Sequence, residues 1–261
     1  MSTADLPGTL RVERQGSVAI LTLARPEKRN AIDDTTVLGI EAFFDSLDDD
    51  VRVVVLDAEG DHFCAGLDLG ELQERDAMAG VLHSRMWHRV FDKIEHGRVP
   101  VIAALKGAVV GGGLELATAA HLRVAEESTF YALPEGMHGI FVGGGASVRV
   151  PRLIGVARMT DLMLTGRRYD AAEGAAAGLS QYVVPAGHGR EKALELATRV
   201  AETAPQTVFA VLQVLPRIAT AGESEGYLME SLMAAIAQGT DDAKDRMRAF
   251  LDGRARKVTD R

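Results

Sequence analysis

AVVGGGLELATAA, residues 108–120, sets three consecutive glycines, Gly111, Gly112 and Gly113, against an apolar helical stretch that carries one carboxylate, Glu115. A glycine inside a helix costs about 1 kcal/mol relative to alanine. A glutamate flanked by Leu114, Leu116 and Ala117 must find partners or change its protonation state. Both features make sense where main chain has to come close to something and a carboxylate has to face it.

The run just before, VIAAL (101–105), reads as a buried strand, as do VRVVVLD (51–57) and LRVA (122–125). Helical spacing lies between them, chiefly over about 79–96 and 113–120. Strands alternating with helices imply crossover connections and a mostly parallel sheet. Upstream, apolar segments 10–14 and 17–24 flank Gln15-Gly16 and read as a hairpin. Asn30 is expected to cap a helix with apolar positions Val37, Leu38, Ile40, Phe43, Phe44 and Leu47. After Pro151 the pattern turns helical, over 156–165, 170–177, 188–203, 205–218, 223–237 and 241–251, with breaks at Gly166, Gly178, Pro185 and Pro205. An α/β core over 1–190 followed by a helical region over 191–261 is the expected organisation.

The 261 residues, 47% hydrophobic and only 5% aromatic, can build a large aliphatic core. The lone Cys64 rules out a disulfide within the chain and fits a reducing compartment, so a cytoplasmic location is expected. The start, MSTADLPGTL, has neither a basic nor an apolar leader region, and no secretion signal is expected. Residues 101–120 have the length of a membrane span, but Lys106, Glu115 and the glycines argue against one. The net charge of −8 disfavours nucleic acid as a partner. An anionic ligand would need local cations, for which Arg25, Lys28 and Arg29 are candidates; a solvated loop with ordinary charges is the alternative.

Several familiar motifs fail. In G-x-G-x-x-G the third glycine is replaced by Leu116 at one run and by Val148 at the other, which weakens a nicotinamide dehydrogenase. No glycine run ends in Gly-Lys-Ser/Thr, and Ser147 is no nucleophile elbow. His83 and His88 are five apart, off the spacing of a helical metal pair, so they read as helix-surface histidines and no metal site is expected.

Three segments hold together instead. HFCAGLDL (62–69), GAVVGGGLELA (107–117) and FYALPEGMHGIFVGGG (130–145) each follow a strand, where α/β sheets place their sites. Glycine-flanked turns free backbone N–H groups, and one at a helix start adds the positive end of the dipole. Two such donors would polarise a carbonyl and stabilise an enolate, while two half-buried glutamates could hold a water and move protons.

These residues, with RPEKRNAID (25–33), PVIAALKGAVVGGGLELA (100–117) and RLIGVARMTDLMLTGRRYDAAEGAAAGL (152–179), resemble the crotonase superfamily, the enoyl-CoA hydratase/isomerase group, over nearly the whole chain. The resemblance implies an α/β crotonase-like (ClpP/crotonase) spiral core of ββα units with a C-terminal helical trimerisation region. It implies that the backbone N–H groups of Leu67 and Gly112 bind a thioester oxygen and that Glu115 and Glu135 are catalytic. Both glutamates together point to hydration of trans-2-enoyl-CoA rather than isomerisation, which relies on the Glu135 position alone. Coenzyme A would enter as part of the acyl-CoA substrate, with no separate cofactor. It would lie along Lys28, Arg29, Ala65, Leu67, Asp68, Leu69 and Gly70. Phe250 matches a position that reaches a neighbour's CoA in a homotrimer or in a hexamer of two trimers.

Some positions depart from the family pattern. Leu67 stands where alanine is common and should narrow the pocket. Gly136 follows Glu135 in place of a branched residue and is expected to loosen its backbone, and Val142 with Gly143, Gly144 and Gly145 is expected to make the loop more mobile. Gly253 replaces a lysine usual shortly after Phe250, with Arg254 adjacent. Glu115 could alternatively be bonded to an arginine, and Glu135 could face solvent. Cys64 reads as a small buried hydrophobe, and Trp87 as core or acyl-pocket wall. Isomerisation, thioester hydrolysis and acyl-CoA binding without turnover remain alternative functions.

Overall fold

The structure, a computed structural model, describes residues 6–68, 70 and 76–254. Strands β1 (Leu10–Gln15) and β2 (Val18–Leu23) pair antiparallel, turning through Gly16 at a φ of 57°. Parallel partners follow: β3 (Val53–Ala58), β4 (Val101–Leu105), β6 (Leu122–Glu126) and β9 (Tyr182–Val184), in the order β1-β2-β3-β4-β6-β9. The residues of β2, β3 and β4 are buried throughout because both faces of the sheet are covered. Side-chain alternation divides them: Ile20, Val53, Val55, Ile102 and Ala104 face helix α7 (Gly189–Ala201) through Ala193, Leu196 and Ala197. Leu21, Val54, Leu56, Ala103 and Leu105 face the larger core built with α1 (Asp34–Asp45), α2 (Ala77–Glu95) and α3 (Gly112–Ala119).

A second, smaller sheet was not foreseen: β5 (Ala108–Val110), β7 (Phe130–Ala132) and β8 (Tyr169–Asp170), in the order β5-β7-β8. Strand β4 leads through β5 into α3, and β6 leads through β7 into a short 3-10 helix, Pro134–His138. Strand β3 leads to a segment that bridges β5 at Cys64 and Val109, and then to α2. This is the expected spiral of ββα units. The site segments thus leave the large sheet by way of a second layer rather than directly.

Helices α4 (Ala146–Ile154), α5 (Val156–Thr165) and α6 (Ala171–Ala177) complete the first compact unit, Met1–Ala201. The second unit, Glu202–Arg261, holds α8 (Pro205–Phe209), a π-helical turn (Ala210–Val214), α9 (Leu215–Ile218), α10 (Glu223–Gln238) and α11 (Asp241–Leu251). Because α7 seals one face of the sheet, it belongs to the first unit, and the division falls after Ala201 instead of 190.

Two local expectations are corrected. Helix α1 is capped by Asp33, whose side chain accepts the Thr36 N–H at 2.7 Å. Asn30 is a buried tertiary clip, with φ 55° and Nδ2 donating to the carbonyls of Glu59 (2.8 Å) and His62 (2.7 Å). Pro151 lies inside α4 instead of ending a strand-rich region. Residues 101–120 form β4, β5 and α3, and among the described residues no helix is long and apolar enough to cross a membrane.

Helix α3 can start where it does because Gly113 lacks a side chain: a Cβ there would overlap the Cys64 carbonyl and come 2.8 Å from the Cys64 Cβ. Gly80, in α2, has open space around its Cβ direction. Gly80→Ala should therefore stabilise the protein by up to about 1 kcal/mol, whereas Gly113→Ala should destabilise it by roughly 2–3 kcal/mol through overpacking. Urea unfolding of both variants checks this, and equal effects of the two would contradict it.

Candidate active site

The turn at 63–68 and the start of α3 are tied by main chain alone. The Cys64 N–H donates to the Ala108 carbonyl at 2.9 Å, and the Val110 N–H to the Cys64 carbonyl at 3.1 Å. On its other side, the turn meets Ile32, whose N–H reaches the Gly66 carbonyl and whose carbonyl takes the Asp68 N–H, both at 2.8 Å. In such a parallel bridge the intervening N–H, that of Leu67, points away from Ile32. It points toward α3: a Cβ on Gly112 would sit 3.4 Å from the Leu67 nitrogen, and one on Gly66 would sit 3.6 Å from the Gly112 nitrogen. Gly66 has φ 106° and Gly111 has φ 53° with ψ −122°, conformations that require glycine. Neither the Leu67 nor the Gly112 N–H has a hydrogen-bond acceptor among the described residues. Two free donors therefore lie side by side, one at the positive end of a helix.

Glu115 sits in the first turn of the same helix, buried. Its Oε1 accepts N–H bonds from Gly144 (2.7 Å) and Ala146 (3.0 Å). Among the described residues no arginine bonds the carboxylate; Arg149 donates to the Glu115 main-chain carbonyl instead, at 3.4 Å. Burial pushes the Glu115 carboxyl upward, opposed by the Ala146 and Gly144 N–H groups and by the Arg149 charge.

Glu135 enters from the 3-10 helix Pro134–His138. Its Oε1 lies 2.8 Å from the place a Gly111 Cβ would occupy, and its Oε2 is buried without a partner. It does not face solvent as the alternative reading had it. Burial, reinforced by the negative charge of Glu115, pushes its carboxyl up to about 7. Both carboxylates and both free N–H groups thus converge on the beginning of α3.

Gly136 does not loosen this arrangement. A Cβ there would strike the Met163 carbonyl, so the glycine lets the Glu135 turn seat directly on α5. The run at 143–145 is packed as well: Cβ atoms would meet Ser84 Oγ at 2.9 Å, Glu115 Oε2 at 2.6 Å and Arg149 Nη2 at 2.5 Å in turn. The expected loosening of this loop contrasts with three close approaches, of which Gly145, at φ 106°, also has a backbone that favours glycine.

Trp87 forms the wall between these elements. Its ring is 3.1 Å from a Gly112 Cβ position and 3.0 Å from that of Gly144. Its Nε1 donates to Asp34 Oδ1 at 3.1 Å, and the same oxygen shares a 2.7 Å hydrogen bond with His83 Nε2. His83 is therefore half-buried and engaged rather than a plain surface histidine. Cys64 is fully buried, which pushes its thiol up to about 12 and leaves it a small apolar group.

Along one edge, Asp68 pairs with Arg25 (2.9 Å) and Lys28 (3.0 Å) and accepts the Gly70 N–H at 3.0 Å, which with Lys28 holds its carboxyl low. Arg29, at φ 51°, offers its carbonyl to the Ala65 N–H at 3.0 Å. Lys28, Arg29, Ala65, Leu67, Asp68 and Gly70 are therefore neighbours, although Lys28 is already paired. Leu69 lies outside the described residues, and Phe250 is an exposed residue of α11 in the second unit. Among the described residues no group of three His, Cys, Asp or Glu side chains is placed to hold a metal ion. The two N–H donors to Glu115, the Arg149 guanidinium and the Asp34–His83–Trp87 contact escaped the sequence reading. Arg149 alone left a trace there, sharing a helical face with Ala146, Val150 and Ile154.

Residues 13–261 match the enoyl-CoA hydratase/isomerase family. The chain belongs to that family. Enoyl-CoA hydratase EchA19 of Mycobacterium tuberculosis is 32% identical over 260 residues, 98% of each chain. A structure from Rhodopseudomonas palustris, assigned as an enoyl-CoA hydratase, is 61% identical with a TM-score of 0.92, over 94% of this chain and 95% of that one. An enoyl-CoA hydratase from Bacillus anthracis is 30% identical with a TM-score of 0.88, over 97% of this chain and 100% of the other. The family acts on acyl-CoA thioesters.

The raised Glu135 carboxyl has a consequence for stability. Its proton is lost near 7 in the folded protein and near 4.5 when unperturbed. Between those values the unfolded chain has released the proton and the folded one has not, so this group makes stability fall as pH rises through that window. Glu135→Gln should remove the fall. Its melting temperature relative to wild type should rise from pH 5 to pH 8, and a constant offset across that range would contradict the assignment.

Proposed function

We propose that this protein adds water to trans-2-enoyl-CoA thioesters, giving 3-hydroxyacyl-CoA. The observation that carries the reading is the convergence of two unengaged N–H groups and two differently held glutamates at the start of α3. The N–H groups of Leu67 and Gly112 take the thioester oxygen and hold the enolate that forms, at about 3–4 kcal/mol per donor. Glu115, aimed by Gly144 and Ala146, accepts a proton from the water that attacks C3. Glu135, which retains a proton up to about 7, delivers one to the α-carbon on the same face. No further cofactor enters the reaction.

The CoA portion follows the edge formed by residues 25–30 and 65–68. Lys28 turns from Asp68 toward a phosphate or shares itself between them, with Arg29 near the phosphates or adenine. In the second unit Phe209, Leu215, Tyr227, Leu228, Leu232, Ile236 and Phe250 expose large apolar side chains. They support a homotrimer, or a hexamer of two trimers, in which Phe250 reaches a neighbour's CoA. Double-bond isomerisation is a second reading, favoured by the near-neutral titration of Glu135, since it would use that carboxylate alone.

Hydration of crotonyl-CoA tests the proposal. Glu115→Gln and Glu135→Gln should each lower kcat by roughly 10²–10⁴-fold with little change in KM. Full activity in a folded Glu115→Gln protein contradicts the role of Glu115. Turnover of 3-enoyl-CoA surviving in that variant would favour isomerisation instead.

A further inference from the structure

Arg149 is a buried cation with no part in the reaction as written. Helical spacing on α4 places it with Ala146, Val150 and Ile154, so its side chain runs inward. Its Nη2 donates to the main-chain carbonyls of Gly144 and Glu115, and its Nη1 pairs with Glu95 of α2 at 3.2 Å. The guanidinium also lies 5.8 Å from the Phe91 ring centre, and its Nε is buried without a partner. A buried guanidinium is costly unless well paired, and among the described residues Glu95 is the single carboxylate bonded to it.

What it grips explains its placement. Gly144 gives its carbonyl to Arg149 and its N–H to Glu115 Oε1. Gly145, at φ 106°, has no side chain because the guanidinium fills that space. The cation therefore ties the turn, through the Gly144 carbonyl, to the main chain of Glu115, whose carboxylate the N–H groups of Gly144 and Ala146 aim. It also places a positive charge behind that carboxylate. The other charged or titratable groups around it are Glu135 from the 3-10 helix, and Glu95 and His88 from α2 beside Arg149. Burial and the Arg149 and Arg85 charges push the His88 imidazole below its usual range.

We propose that Arg149 is a positioning residue for Glu115: it locks the 143–146 turn around the carboxylate and keeps the carboxylate ionised as the proton acceptor. Burial pushes the other way. The proposal rests on Glu115 being the base, yet what it states is a property of the free protein.

The test is a carbon NMR titration of the Glu115 carboxyl in the free, full-length protein, assigned with Glu115→Gln. Arg149→Met and Arg149→Gln remove the charge; Arg149→Lys keeps it but loses the fork that holds the Gly144 carbonyl through one nitrogen and Glu95 through the other. In the neutral variants the Glu115 midpoint should rise by about 1 pH unit or more, and the acidic limb of kcat/KM for crotonyl-CoA should move up with it. In Arg149→Lys the midpoint should stay near wild type while kcat falls with KM unchanged. An unshifted midpoint in whichever neutral variant folds overturns the proposal, as does wild-type kcat in the lysine variant if neither neutral variant folds. If wild type does not hydrate crotonyl-CoA, the hydratase reading fails, and the titration still decides the role of Arg149.

Discussion

Main chain meeting main chain, between the 64–67 turn and residues 110–113, is the contact on which the rest of the site depends. Side chains are excluded at Gly66, Gly112 and Gly113, because a Cβ at each would press on backbone or on the Trp87 ring. The two bonds from Cys64 to β5 and the two to Ile32 are each worth only about 0.5–1.5 kcal/mol net, but breaking one leaves a buried peptide group unsatisfied. This contact brings a turn from one ββα unit against the helix start of the next. It leaves two N–H groups over, and those are the groups available to a ligand.

Around them the protein treats two glutamates differently. Glu115 receives two N–H bonds and has a cation behind it, whereas Glu135 has one oxygen with no partner at all. Burial raises both; the Ala146 and Gly144 N–H groups and the Arg149 charge oppose it at Glu115, and a main-chain hydrogen bond opposes it at Glu135. The two carboxylates thus differ in the groups that face them. Trp87, fixed through Asp34 and His83, fills the space between Gly112 and Gly144 and separates the carbonyl-binding side from the turn that aims Glu115.

Much of this was legible in the residues. The buried strands 101–105 and 122–126 and the helices 156–165 and 241–251 follow from continuous apolar runs and from punctuation by glycine and proline. The triple glycine beside Glu115 announced a close backbone approach. The small sheet was hidden because β5, β7 and β8 are two or three residues long, too short for alternation, and exist only by pairing with one another. Asn30 resembled a cap because a capping side chain and a tertiary clip use the same amide. The helical pattern was expected only after Pro151, yet α4 begins at Ala146 and runs through that residue, with Arg149, Val150 and Ile154 buried on its inner face. The roles of Gly136 and Gly143–145 could not be read locally: what occupies the space of their missing side chains is Met163, Ser84, Glu115 and Arg149, all distant or folded back in the chain.

A crystal structure with a bound, unreactive acyl-CoA thioester tests the central claim most directly. The thioester oxygen should lie about 2.7–3.1 Å from both the Leu67 and the Gly112 nitrogens, with a water touching both Glu115 and Glu135. A thioester oxygen beyond about 3.5 Å from either nitrogen, or carboxylates facing different cavities, would contradict it.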